Sequence, residues 1–206
     1  MSHSPSTSEI LLHSTVKITS ISNGQKTGTG TAFYTLFNKT HESVQPVIIT
    51  NKHVVDGADQ ISIRCHAADP ETYKPTGDLI DVTVALHDTL INHPDSNVDL
   101  CSISIGSIIQ QAMDRKTPIY YSPVTMEWIP TEEEWQYLDA IEDITMVGCP
   151  RGLIDEINNL PIVRKGITAT SPSRDYNGKK EFMIDMACFP GSSGSPIFLY
   201  NENGYL

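Results

Sequence analysis

The chain has 206 residues, 39% of them hydrophobic and 19% charged, which is enough apolar material for a packed core and argues against a disordered chain. Its net charge of −11 leaves no basic surface to neutralise phosphates, so no nucleic-acid partner is expected. No apolar run approaches membrane-spanning length and the first residues lack the basic and apolar regions of an export signal, so no membrane partner is expected and the expected compartment is the cytoplasm, or the exterior if a signal has been removed.

Residues 1–8 are polar and read as a flexible tail. Short β-rich runs then recur with turn residues between them: 9–20, 28–37, 46–50, 60–66, 79–87 and 98–105. The run "QISIRCH" alternates, with Ile61, Ile63 and Cys65 on one face. Six such runs in the first half suggest a barrel or sandwich occupying 9–115. Residues 107–116 read as a short helix or part of a connector. Thr131 followed by Glu134 is a capping box, which predicts a helix over 131–141 inside a connector spanning 116–141. Four more β runs follow, at 143–150, 161–171, 181–187 and 195–200, in a second unit spanning 142–206. Residues 201–204 read as a turn, and Tyr205-Leu206 as the start of a further strand. Cys65, Cys101, Cys149 and Cys188 are widely spaced and flanked by apolar residues, so they read as buried, reduced thiols without metal-type spacing.

The stretch "CFPGSSGSPIF" (188–198) sets three serines among glycines between two apolar runs. A serine hydroxyl is barely ionised at neutral pH, so a nucleophilic serine needs a base, an acid that orients the base, and donors aimed at the developing oxyanion. Gly191 can bend so that its N–H and that of Ser193 point at one spot. "VIITNKHVV" puts His53 just after an apolar strand, and "SNVDLCSISI" puts Asp99 at the mouth of another. Asp95 competes with Asp99, but only Asp99 is followed directly by the apolar strand that would anchor it. Asp56 lies too close to His53 in sequence to reach round to its ring. Each residue alone has a plainer reading, as a polar turn, a partly buried histidine or a strand-end cap. Together, in the order His53, Asp99, Ser193, they read as a catalytic triad of the kind found in double β-barrel proteases.

The chain resembles the trypsin-like (chymotrypsin-fold) serine peptidases, nearer the bacterial branch of HtrA proteases and glutamyl endopeptidases than the animal digestive enzymes. The matching pieces are "GTGTAFY" (28–34), "TNKHVV" (50–55), "VDLCSI" (98–103), "VGCPRGL" (147–153) and "PGSSGSPIF" (190–198), in family order. The resemblance implies an all-β fold of two antiparallel six-stranded β-barrels with the active site in the cleft between them. It implies that His53 is the general base, Asp99 its orienter and Ser193 the nucleophile, with the N–H groups of Gly191 and Ser193 as the oxyanion hole. It places the substrate-binding pocket at Ala187 and Phe189, with a pocket floor that offers no carboxylate to a basic side chain; a small or medium apolar P1 residue is expected. It implies an endopeptidase with a polypeptide substrate and no cofactor. Only thirteen residues follow Ser193, fewer than the family's second barrel needs, so that barrel is expected to be truncated and further domains beyond Leu206 are envisaged. On this reading the chain alone turns over casein poorly. The alternative is a weakly active or inactive peptidase-like module that binds peptides within a larger protein.

Overall fold

The computed structural model describes residues 5–40 and 43–200. In chain order its elements are α1 (Thr7–His13), β1 (Thr15–Ser22), β2 (Gln25–Thr40), β3 (Ser43–Thr50), α2 (Lys52–Val55), β4 (Gln60–Ala68), β5 (Pro75–Ala85), β6 (Leu90–Asn92), β7 (Cys101–Ser104), α3 (Gly106–Asp114), β8 (Ile119–Tyr120), α4 (Glu132–Trp135), β9 (Asp143–Gly148), β10 (Ile162–Thr168), β11 (Ile184–Asp185) and β12 (Ile197–Phe198). Single 3₁₀ turns lie at Met126–Trp128 and Pro150–Gly152.

The strands form two antiparallel sheets, an all-β, double-barrel arrangement. The first runs in the order β5-β4-β1-β2-β3-β7-β6, with β8 paired to the free part of β4. Six of its eight strands are the six runs read from the sequence; β6 and β8 are short additions of three and two residues. Period-two alternation builds its core. Ile61, Ile63 and Cys65 of β4 are buried on one face, as their spacing predicts, and join Val16, Ile18, Ala32, Tyr34, Ile48, Val84 and Ile103 in one cluster. The second sheet runs β11-β10-β9-β12 and corresponds to the four later runs. The turn and strand start read at 201–206 lie outside the described residues, as do residues 1–4 of the expected tail.

Four expectations are corrected. Residues 6–8 are not a loose tail: Ser6 caps α1, its Oγ accepting from the Glu9 N–H while the Glu9 carboxylate accepts from the Ser6 N–H. The strand read over 9–20 is therefore helix up to His13 and strand from Thr15. The helix read over 131–141 keeps its Thr131–Glu134 capping box but stops at Trp135. Ile141 has φ +73° and its N–H donates to Thr168 O, so the chain turns to enter the second sheet instead. Trp128 and Trp135 of the connector pack edge-on to Phe198 and Phe182 of the second unit. Finally, Cys65, Cys101 and Cys149 are buried, but Cys188 is exposed.

Candidate active site

His53 sits in the single turn of α2, directly after β3. The next two residues, Val54 and Val55, are buried in the core of the first sheet and fix that turn. Val54 lies against Gly30, where a Cβ would come 2.5 Å from Val54 Cγ1, so the contact requires glycine. The Val54 carbonyl accepts from the buried Ser20 hydroxyl at 2.5 Å. Asp99 sits two residues before β7, whose Cys101 and Ile103 are buried. Its carbonyl accepts from the Asn51 side chain at 2.6 Å, tying the mouth of β7 to the residue that precedes α2.

The three side chains converge. The Asp99 carboxylate lies 2.5 Å from His53 Nδ1, and its other oxygen accepts from the His53 backbone N–H at 3.1 Å. His53 Nε2 lies 2.9 Å from Ser193 Oγ. A carboxylate can only accept from a ring N–H, so the proton belongs on Nδ1 and the lone pair of Nε2 faces the serine. Burial works against the Asp99 charge. Hydrogen bonds from the His53 ring and backbone, the charge that His53 can carry and the Lys52 N–H outweigh it and lower its pKa below the ordinary carboxylate value.

The three clustered serines separate by environment. Ser193 alone meets the imidazole. Ser192 is buried, and its Oγ accepts from the Phe189 N–H at 3.3 Å. Ser195 Oγ is buried against Gly148 and has no hydrogen-bond partner among the described residues.

Around Ser193 five successive backbone carbonyls are each held by a hydrogen bond. Phe189 O accepts from Ser192 N–H, Pro190 O from Arg151 N–H, Gly191 O from Thr31 Oγ1, Ser192 O from Ser195 N–H and Ser193 O from Thr31 N–H. A trans peptide sets its N–H opposite the preceding carbonyl. Pinning Pro190 O and Ser192 O therefore directs the N–H groups of Gly191 and Ser193 the other way. Among the described residues neither N–H donates to a protein acceptor. Gly191 has φ +87° and Gly194 φ +84°, and a Cβ at Gly194 would come 2.0 Å from Thr31 O. These glycines let the loop make this reversal and still pass close behind the first sheet.

Ala187 is exposed, and its carbonyl accepts from Arg164 Nη1 at 2.5 Å. Phe189 is 43% exposed, with the Arg151 guanidinium 5.2 Å from its ring centre. Burial pushes the thiols of Cys65, Cys101 and Cys149 up to about 11, so none of the three is a thiolate near neutral pH. His93 and Asp95 contact each other through the Asp95 N–H and His93 Nδ1 in the loop before Asp99.

Two groups at this site carried no role in the sequence reading. Thr31 contacts both the serine loop and Cys149, and Arg151, with φ +53°, donates to Pro190 O. Both lie in segments that carry the family resemblance, but their partners are far along the chain.

The family described as trypsin-like peptidase domain matches residues 28–206. Among solved structures, the crystal structure of the serine endoprotease from Yersinia pestis is similar, with 16% identity and a TM-score of 0.53. The match covers 95% of this chain and 54% of that one, so the chain spans about half the length of that structure, and at this identity the likeness bears on the fold alone. No curated protein matches the chain.

Proposed function

The chain belongs to the trypsin-like peptidase family, whose substrates are polypeptides, and from that premise we propose that it is a serine endopeptidase working through an acyl-enzyme intermediate. The observation that carries the proposal is the His53 ring bridging a carboxylate at 2.5 Å and a serine hydroxyl at 2.9 Å. In this mechanism Ser193 Oγ attacks the scissile carbonyl carbon while His53 Nε2 takes the hydroxyl proton. Asp99 stabilises the imidazolium, and the N–H groups of Gly191 and Ser193 receive the carbonyl oxygen as it becomes negative. The tetrahedral adduct collapses, the C–N bond breaks, and the amine leaves with the proton from Nε2. Water then repeats the sequence on the ester, releasing the acid and restoring Ser193. Every group the steps use belongs to the chain, the substrate or the attacking water.

Labelling with a fluorophosphonate probe tests the reading. The wild-type chain is expected to label and Ser193→Ala not to. Equal labelling of both removes the assignment. Ser193→Ala and His53→Ala are expected to lower turnover about 10⁴–10⁶-fold. Ser192→Ala is expected to stay within about tenfold of wild type, because its hydroxyl serves a backbone N–H and never meets His53.

A further inference from the structure

Thr31 touches neither the imidazole nor the carboxylate, yet all its polar groups point at the site. It is fully buried on β2. Its Oγ1 donates to Gly191 O at 2.9 Å and accepts from the Cys149 N–H at 2.9 Å. Its backbone N–H donates to Ser193 O at 2.9 Å, and its carbonyl accepts from Thr50 Oγ1 at 2.7 Å. One residue of the first sheet thus holds the serine loop, the end of β9 and the strand that leads to His53.

The direction of each bond at the hydroxyl is fixed by chemistry. Cys149 N–H can only donate, so the oxygen accepts there and its single proton goes to Gly191 O. Gly191 O orients the Gly191–Ser192 peptide. Cys149 begins the Pro150–Gly152 turn, whose Arg151 N–H holds Pro190 O and so orients the Pro190–Gly191 peptide. Both peptide planes flanking Gly191 therefore trace back to one oxygen. Removing it leaves the buried Cys149 N–H and the part-buried Gly191 carbonyl unpaired together, and the cheapest relief is rotation of those planes.

We propose that Thr31 is a positioning residue for the oxyanion-binding Gly191 N–H, acting through its hydroxyl on the two peptide planes that flank Gly191. The proposal rests on the peptidase reading above. It predicts an effect confined to states that carry negative charge on the substrate oxygen, and so on kcat more than KM.

The test compares wild type, Thr31→Val, which keeps the shape and loses the hydroxyl, and Thr31→Ser, which keeps the hydroxyl. Steady-state rates are read with p-nitrophenyl acetate and folding by thermal melts. Binding of a peptide aldehyde, which forms a tetrahedral oxyanion on the serine, is compared with binding of the matching alcohol. Thr31→Val is expected to lose about 10- to 100-fold in kcat with KM within about twofold. Its preference for aldehyde over alcohol should fall by a similar factor, and Thr31→Ser should stay within about threefold of wild type. If Thr31→Val does not fold, Thr31→Ser decides: a loss beyond tenfold in kcat overturns the proposal. A folded Thr31→Val that matches wild type in kcat and aldehyde preference also overturns it, while fluorophosphonate labelling of wild type leaves the peptidase reading standing. A wild-type chain that does not label at Ser193 brings down the reading and this proposal with it.

Discussion

Asp99 grips His53 at two points, one carboxylate oxygen on ring Nδ1 at 2.5 Å and the other on the backbone N–H at 3.1 Å. The first contact sets the tautomer, and the second sets where α2 starts relative to β7. An amide at position 99 can keep the second contact and disrupt the first. Asp99→Asn is therefore expected to fold normally and lose about 10⁴ in kcat, because the ring can then present a protonated Nε2 to Ser193. Both side chains are about half exposed, at 59% and 47%, so little stability rides on the pair. Rates and melting temperatures of the variant check this. Turnover within tenfold of wild type would mean that another group orients the ring.

A second prediction concerns the floor under His53. A Cβ on Gly30 would meet Val54 Cγ1 at 2.5 Å, and Val54 is in the turn that carries His53. Gly30→Ala should therefore destabilise the chain by about 1–3 kcal/mol through overpacking and lower kcat by shifting α2. The double variant Gly30→Ala/Val54→Ala should recover a good part of the activity, since the added methyl then has room. A double variant no better than the single one would show that the contact does not set the position of His53.

Which parts of this molecule were legible in the sequence follows from the range of the interactions involved. His53, Asp99 and Ser193 stand in short segments whose strand and turn patterns are local, so their places and chain order could be read directly, and the structure brings the three side chains together. The alternation of Ile61, Ile63 and Cys65 was likewise a local signal, and the sheet buries all three. Helix α1 escapes the sequence pattern although Ser6 and Glu9 form a capping box, because Ile10 to Leu12 run on into the β-rich Val16 and Ile18 with no glycine, proline, asparagine or aspartate between them. The connector helix was overextended because Ile141 turns to reach Thr168, a partner no local pattern reveals. Thr31 was illegible for the same reason: its acceptor Gly191 lies 160 residues away.

The histidine pair at the back of the first sheet predicts a pH dependence of stability. Burial, with the neighbouring His66 adding to it and Glu9 opposing, lowers the His13 pKa from 6.5 to about 4. The His13 ring packs edge-on to the rings of His66 and Tyr120, and its Nδ1 is buried without a partner among the described residues. His66 is also shifted down by burial, against the pull of the Asn159 carbonyl. The unfolded chain therefore binds more protons than the folded one between about pH 4 and 6.5, so stability is present above that window and falls as the pH drops through it. The rings are only half buried, and solvent screening reduces the effect below the full linkage value. Urea midpoints at pH 7 and 5 should be higher at pH 7. His13→Phe, which keeps the ring contacts, should flatten the difference, and an unchanged slope would assign it to other groups.

Substrate preference gives the last prediction. If the pocket floor lies at Ala187, as the family resemblance implies, it has no carboxylate to receive a basic side chain. A cation stands there instead: Arg164 donates through Nη1 to Ala187 O at 2.5 Å and through Nη2 to Met146 Sδ at 2.9 Å, while its Nε is buried without a partner. Among the described residues no carboxylate forms an ion pair with it. A guanidinium without a counter-charge repels a substrate lysine or arginine, and the repulsion strengthens once the bound peptide excludes water. Fluorogenic peptides varied only at P1 should therefore rank arginine and lysine lowest. Arg164→Gln should raise their rates relative to leucine at P1, because the amide keeps a donor and drops the charge. Fastest cleavage after arginine or lysine would show that Arg164 does not face the bound P1 side chain.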